Sequence, residues 1–278
     1  MRPLLLLLLI LFVQLLSCNR KESDGLRFNL QKGKVYEYQA NFKVRQVEGD
    51  SLFSDMTNSY TLEVMDESDG IKTIRVHYRD FTISLESPKL ENDTSKKLKK
   101  DLSLMLEGVF NDVLKAMKGK SMLMKVNPMG KVVSVEGLTE IIKPVIDTMN
   151  IPPMAKTVSM QMMQSDFGKK MLAGVFSQGF EIFPNKEVKV GDTWEKEMQL
   201  NGMLPISANT IFTVNSIKGN HVTLDAKSLL NNNNRKGEVL STYRVDSRTG
   251  LVLEARTRTI FGVPPMVMSE GIITGKEL

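Results

Sequence analysis

The stretch Tyr36-Glu37-Tyr38-Gln39-Ala40-Asn41-Phe42-Lys43-Val44-Arg45 alternates apolar and polar residues without a break. A period of two puts Tyr36, Tyr38, Ala40, Phe42 and Val44 on one face of a β-strand and the residues between them on the other. One buried face and one wet face is the habit of an antiparallel sheet packed on one side only. The same reading extends along the chain. Ile74, Val76 and Tyr78 share a face, after which the apolar phase shifts to Phe81, Ile83 and Leu85. One extra residue near Arg79-Asp80 restores the face, so a β-bulge is expected there. Farther on, Val239, Ser241, Tyr243 and Val245 share a phase, and Asn231 to Asn234 read as a polar hairpin tip.

Two segments echo each other. Leu30-Gln31-Lys32-Gly33-Lys34-Val35-Tyr36-Glu37 and Val188-Lys189-Val190-Gly191-Asp192-Thr193-Trp194-Glu195 both read apolar, two residues, glycine, two residues, aromatic, glutamate. Lys125 to Val132 and Arg244 to Leu251 both read as a strand, a turn closed by Gly130 or Gly250, and a returning strand. Between these landmarks, Tyr60 to Met65 corresponds to Thr210 to Val214, and Ile71 to Leu85 to His221 to Ala226. The expectation is a duplicated β unit, roughly 26–136 and 180–278, joined by a helical connection over 137–179.

Helical spacing interrupts the strands. Ser95 to Met117 carries Leu98, Leu102, Met105, Val109, Phe110, Val113, Leu114 and Met117 on one stripe, with Asp93, Thr94 or Ser95 able to cap it and Gly119 able to end it. Leu138 to Met149 is a short helix containing Pro144, and Pro152-Pro153 breaks the chain after it. A third helix is expected from Met154 to Phe176, with Met160, Met163, Phe167, Met171 and Val175 on one stripe. The expected class is α+β: mainly antiparallel sheet, half-barrel or barrel-like, with about three helices packed on a face or plugging a half-closed barrel.

The N-terminus gives an address. After Arg2, the run from Leu4 to Leu16 has Gln14 as its only polar residue, and Leu15-Leu16-Ser17-Cys18 follows with the chain's only cysteine. A charged start and a short apolar core form a secretory signal, too short for a membrane span of about 20 residues. The segment resembles a bacterial lipoprotein signal. That resemblance implies a signal peptide over 1–17, cleavage before Cys18, a diacylglyceryl group on its thiol and further acylation (palmitate in type) of the new amine. Asn19, by resemblance to enteric lipoproteins, implies sorting to the outer membrane. Residues 18–25 then form a lipidated tether, and 26–278 the β-rich domain of an envelope protein.

Chemistry is largely excluded. Hydrophobic content of 41% and charged content of 25% are those of an ordinary globular chain, and a net charge of +5 gives no nucleic-acid footprint. With Cys18 committed to lipid, no thiol is left for a nucleophile or a disulfide. His77 and His221 are the two histidines, and both read as solvated structural residues. Zinc normally takes three or four ligands, so no metal and no cofactor is expected. Gly119-Lys120-Ser121 imitates a phosphate loop but lacks its first glycine and its strand-to-helix context. Asp80, Asp192 and Asp246 are carboxylates that a hydrolase could pair, although Asp192 and Asp246 sit where turns use aspartate.

The chain holds 18 methionines against one tryptophan. Methionine fills cores and also suits adaptable apolar surfaces. Met160, Met163, Phe167 and Met171 are therefore candidate ligand-binding residues, on a helical lid over a β groove.

The lipobox, Gly33-x-x-Tyr36, Asn127-x-x-Gly130, Phe183-Pro184, Val190-Gly191-Asp192-Thr193-Trp194 and Tyr243-x-x-Asp246-x-x-Thr249-Gly250 together resemble uncharacterised lipoproteins of Gram-negative bacteria that carry a domain of unknown function. The resemblance implies a β-rich envelope lipoprotein and carries over no catalytic residue. The expected role is a non-enzymatic module that binds an apolar ligand or an envelope protein. Its alternatives are a scaffold and, less favoured, a carboxylate-dependent envelope hydrolase. Mass spectrometry of the N-terminal peptide from membranes should find diacylglyceryl on Cys18, and Cys18→Ser should lose both the lipid and the cut. An unmodified cysteine would contradict the assignment.

Overall fold

The computed structural model describes residues 25–46, 53–86, 112, 115–164, 176, 179–201, 205–232, 235–261 and 267–278. Eleven strands form one antiparallel sheet: β1 Val35–Gln46, β2 Phe53–Ser68, β3 Ile71–Glu86, β4 Ser121–Val126, β5 Val132–Glu136, β6 Thr193–Asn201, β7 Pro205–Lys218, β8 His221–Asn232, β9 Arg235–Asp246, β10 Val252–Phe261 and β11 Val267–Glu277. Their spatial order is β5-β4-β3-β2-β1-β11-β10-β9-β8-β7-β6. The sheet wraps as a half-barrel and does not close. Its centre is the pairing of β1 with β11, from Tyr36 opposite Glu277 to Gln46 opposite Val267.

The alternation decides which face is buried. Tyr36, Tyr38 and Ala40 of β1, Leu62 and Val64 of β2, and Ile74, Val76 and Tyr78 of β3 all point into the core. The expected bulge is present: Ser59 pairs with Asp80 and Tyr60 with Tyr78, leaving Arg79 as the extra residue. Two further bulges leave Met65 and Asn215 unpaired. Each follows a valine that is held by the turn ahead of the first strand of its half. Gly33 donates to the Val64 carbonyl and Val64 to Lys34, while Gly191 donates to Val214 and Val214 to Asp192. The hairpin turns also share a device: Asn127 Oδ1 accepts from the amides of Met129 and Lys131, and Asp246 Oδ1 from those of Arg248 and Thr249.

Helix α1, Leu138–Thr148, buries Leu138, Ile141, Ile142 and Ile146, one stripe of an amphipathic helix. Pro144 lies within it, on the exposed side. Helix α2, Pro153–Gln164, starts at the expected proline break. Of the helix expected before Gly119, the described part is its end: Lys115 to Met117 are helical, and Gly119 follows at φ 72°. The span 95–111, with its proposed cap and most of its stripe, lies outside the described residues.

One segment ties the ends of the sheet together. Leu26, Phe28 and Leu30 are buried, and their backbone crosses three other parts of the chain. Leu26 exchanges hydrogen bonds with the backbone around Lys186, Phe28 donates to the Pro128 carbonyl, and Asn29 donates to Thr249. The Phe28 ring sits 5.0 Å from Phe180 and 6.3 Å from Phe183. Close approach requires the two turn glycines. A Cβ on Gly250 would lie 2.2 Å from the Arg27 carbonyl oxygen, and one on Gly130 would lie 1.6 Å from that of Phe180.

These contacts separate two kinds of glycine. Gly33 and Gly191 also have positive φ, 77° and 89°, but open space around them. Alanine there should cost about 1–2 kcal/mol for the left-handed backbone alone. Gly130→Ala and Gly250→Ala must also displace a backbone, so urea midpoints should fall distinctly further than for Gly33→Ala. Equal losses at all four positions would contradict the close-packed seam.

Candidate functional site

The inner face of the sheet has two zones. The first is filled. Tyr38 stacks on Tyr60 at 5.6 Å, Phe176 meets Tyr60 edge-on at 5.4 Å, and Trp194 stacks on Phe212 at 5.5 Å. The Trp194 indole donates to the Ile182 carbonyl at 3.1 Å. Met117, Met122 and Met124 are buried in the same core cluster as these aromatics and the apolar stripe of α1. Burial pushes the Tyr60 and Tyr78 hydroxyls well above the usual phenol range, so both remain neutral and neither supplies a phenolate.

The second zone lies farther along the strands and is built of small and hydroxyl-bearing residues. In register across the sheet run Ala226, Ser241, Thr257, Gly271 and Phe42. The next row begins with Thr210, Ser228 and Val239. Thr210 and Ser228 share a buried hydroxyl–hydroxyl bond of 2.6 Å, and Ser241 and Thr257 share one of 3.0 Å. Beyond this belt, Ala208, Leu230 and Val239 form a small apolar cluster separate from the main core. The ring of Phe42 occupies the space over Gly271 that a side chain there would need. Asn58, on the same face opposite Ala40, is only 6% exposed, and among the described residues its Oδ1 has no hydrogen-bond partner.

The outer face carries a groove of about 750 Å³ over β7 to β11. Ile211, Leu240 and Ile272 give it apolar walls, and Lys227, Arg256, Arg258, Asp225 and Glu270 give it charge. Glu238 pairs with Lys227 at 3.2 Å and Glu254 with Arg256 at 2.6 Å, while Arg258 reaches the Met268 sulfur at 3.7 Å. Elsewhere on this face Glu37 lies between Lys276 at 2.8 Å and Arg79 at 2.7 Å. Its hydrogen bond to Lys276 holds the carboxyl below its usual range.

The residues singled out in the sequence occupy separate places. Met160 is half-buried against the core, while Met154 and Val158 of the same helix are exposed. Met163's side chain, Phe167 and Met171 lie outside the described residues, as does Cys18. Asp80 is paired with Lys118 at 3.0 Å, Asp192 accepts from the Lys189 amide, and Asp246 caps its turn and binds Arg248. Each of these carboxylates thus has a local structural partner. His77 Nδ1 lies 3.0 Å from the Ser121 hydroxyl, and His221 is exposed beside the β7–β8 turn. Among the described residues no three His, Cys, Asp or Glu side chains cluster as metal ligands would, and no helix is long and apolar enough to cross a membrane.

The model of a family of unknown function, DUF6263, matches residues 69–252, and the chain belongs to that family. No curated protein matches it. Among solved structures, one described as "Lipid-protein interactions in lipovitellin" is similar, with a TM-score of 0.50 at 11% identity. The alignment covers 90% of this chain and 25% of the lipovitellin chain, so the present chain spans about a quarter of that one. At this identity the likeness is one of fold.

Proposed function

We propose that this member of DUF6263 is a lipid-anchored module of the bacterial envelope, held to the outer membrane through Cys18, that carries an apolar ligand on the inner face of its sheet. The observation that carries the reading is the second inner zone. A sheet built only to close on its helices would continue its large side chains to the end. Here they give way to Ala226, Ser228, Ser241, Thr257 and Gly271, with a separate apolar patch beyond. The Asn58 oxygen, without a partner among the described residues, adds a polar handle beside the hydroxyl pairs and the apolar patch, and a few placed polar groups among apolar ones are the usual design of a small-molecule site. Met160 and the other methionines on the helical side supply adaptable cover. The fold likeness to lipovitellin, described by its lipid–protein interactions, is compatible with an acyl ligand. The matched turns at Gly33 and Gly191, and at Asn127 and Asp246, support descent of the sheet from a duplicated β unit.

A second reading, a scaffold that docks an envelope protein, draws on the outer groove, where Ile211 and Leu240 are 52% and 43% exposed, and on Leu229, 65% exposed farther along β8. Native mass spectrometry of the chain purified from membranes separates the two. The ligand reading expects a co-purifying lipid-sized adduct. Asn58→Leu should reduce that adduct while raising stability by about 1 kcal/mol, because an unsatisfied buried acceptor is removed. A chain without adduct, and with a crosslinked partner at Leu229 or Leu240, would favour the scaffold and overturn the ligand reading.

A further inference from the structure

The antiparallel order gathers one set of turns at a single end of the sheet. The start of β1, the β2–β3 turn at Asp69-Gly70, the β4–β5 turn at Asn127 to Lys131, the start of β6, the β7–β8 turn at Gly219-Asn220 and the β9–β10 turn at Ser247 to Gly250 all lie there. The buried segment Leu26 to Leu30 crosses the same end, bonded to Lys186, Pro128 and Thr249. The chain between Cys18 and Gly25 therefore joins the domain at this end. Seven residues reach about 25 Å at most. If Cys18 carries lipid, as the functional reading holds, this end is the part of the sheet nearest the bilayer.

Its surface suits that position. Apolar side chains stand exposed at its turns: Val190 at 60%, Met129 at 44%, Ile217 at 39% and Ile71 at 36%. Around them Lys131, Lys186, Lys189 and Lys218 are exposed, and among the described residues none has a carboxylate within ion-pair distance. The other cations here are neutralised locally, Lys32 by Asp66, Lys34 by Glu277, Lys72 by Glu67 and Arg248 by Asp246. Glu181, whose carboxylate Lys131 acts on electrostatically, together with Asp69, Glu187 and Asp192, offsets part of this charge. We infer that this turn-bearing end is a membrane-docking surface, in which Met129 and Val190 enter the interface of an anionic phospholipid bilayer and the lysines lie against its headgroups. A diacylglyceryl anchor holds the chain at the surface, and a docking contact fixes which end of the sheet faces the headgroups. Lysines near an anionic surface are drawn to its headgroups.

The inference rests on the anchor reading for its geometry, but its test does not need the lipid. The chain from residue 18 onward with Cys18→Ser, which removes nothing described, is mixed with sedimenting vesicles of phosphatidylcholine alone or with phosphatidylglycerol. Binding is expected only to the anionic vesicles, weakening as salt rises. Met129→Asp with Val190→Asp should lower the partition coefficient at least tenfold, while Leu240→Asp on the outer face should leave it unchanged. Both apolar positions are exposed, and circular dichroism confirms that the variants fold. No binding to anionic vesicles, or loss caused by Leu240→Asp rather than by the turn variants, overturns the docking surface. An unlipidated Cys18 in membrane-derived protein would instead remove the anchor reading and leave this result standing.

Discussion

The packing of Leu26, Phe28 and Leu30 against two glycine turns is the constraint on which the rest depends. An open sheet of eleven strands has two free edges and no ring of hydrogen bonds to close it. Its two outer parts, β2 to β5 and β6 to β10, meet only through the central strands β1 and β11. The buried segment adds a second connection, bonding to the β4–β5 turn, the β9–β10 turn and the stretch before β6. Complete burial of three such side chains contributes about 1.5–3 kcal/mol each. That is a large share of the 5–15 kcal/mol by which a domain is typically stable. The glycines are the condition for it, because a side chain at 250 would collide with the crossing backbone at Arg27 and Phe28, and one at 130 with the Phe180 carbonyl packed beneath it.

A seam at one end shapes the interior. Phe28, Phe180 and Phe183 fill the sheet near the seam, with Tyr38, Tyr60 and Phe176 above them. Farther from it, residue size on the same face falls, and hydroxyl pairs replace rings. Large rings thus pack the end where Gly25 enters the domain, and smaller side chains line the same face at a distance. That polarity is the physical basis for reading the seam end as the part that meets the membrane and the far inner face as the part that meets a ligand.

Much of the sheet could be read in advance because one of its faces is wet. The strand from Tyr36 to Arg45 announces its buried side, and the bulge at Arg79 shows as a shift of apolar phase between Tyr78 and Phe81. The bulge at Met65 left no such trace, because Asp66, Glu67 and Ser68 follow it and no apolar phase was available to break; the one at Asn215 shows only as the single step from Val214 to Ile217. The pairing of β1 with β11 joins positions more than two hundred residues apart, and no local pattern encodes it. The hydroxyl belt was half visible: Ser241 falls in phase with Val239 and Tyr243, and Asn58 with Tyr60 and Leu62. A polar residue in an apolar phase is the signal that would have found both. Met160 of the methionine stripe packs half-buried against the core, and helical spacing alone does not separate a core residue from a lid.

Hydrogen exchange at the crossing segment tests the account most directly. If the seam is what makes the open sheet one unit, the amides of Leu26, Phe28 and Asn29 open only with global unfolding. Their exchange free energies, and their dependence on urea, should then match those of Tyr38 in β1 and Tyr243 in β9. Rapid exchange at Leu26 and Phe28 while Tyr38 and Tyr243 stay protected would contradict it, because the sheet would then hold together without the seam.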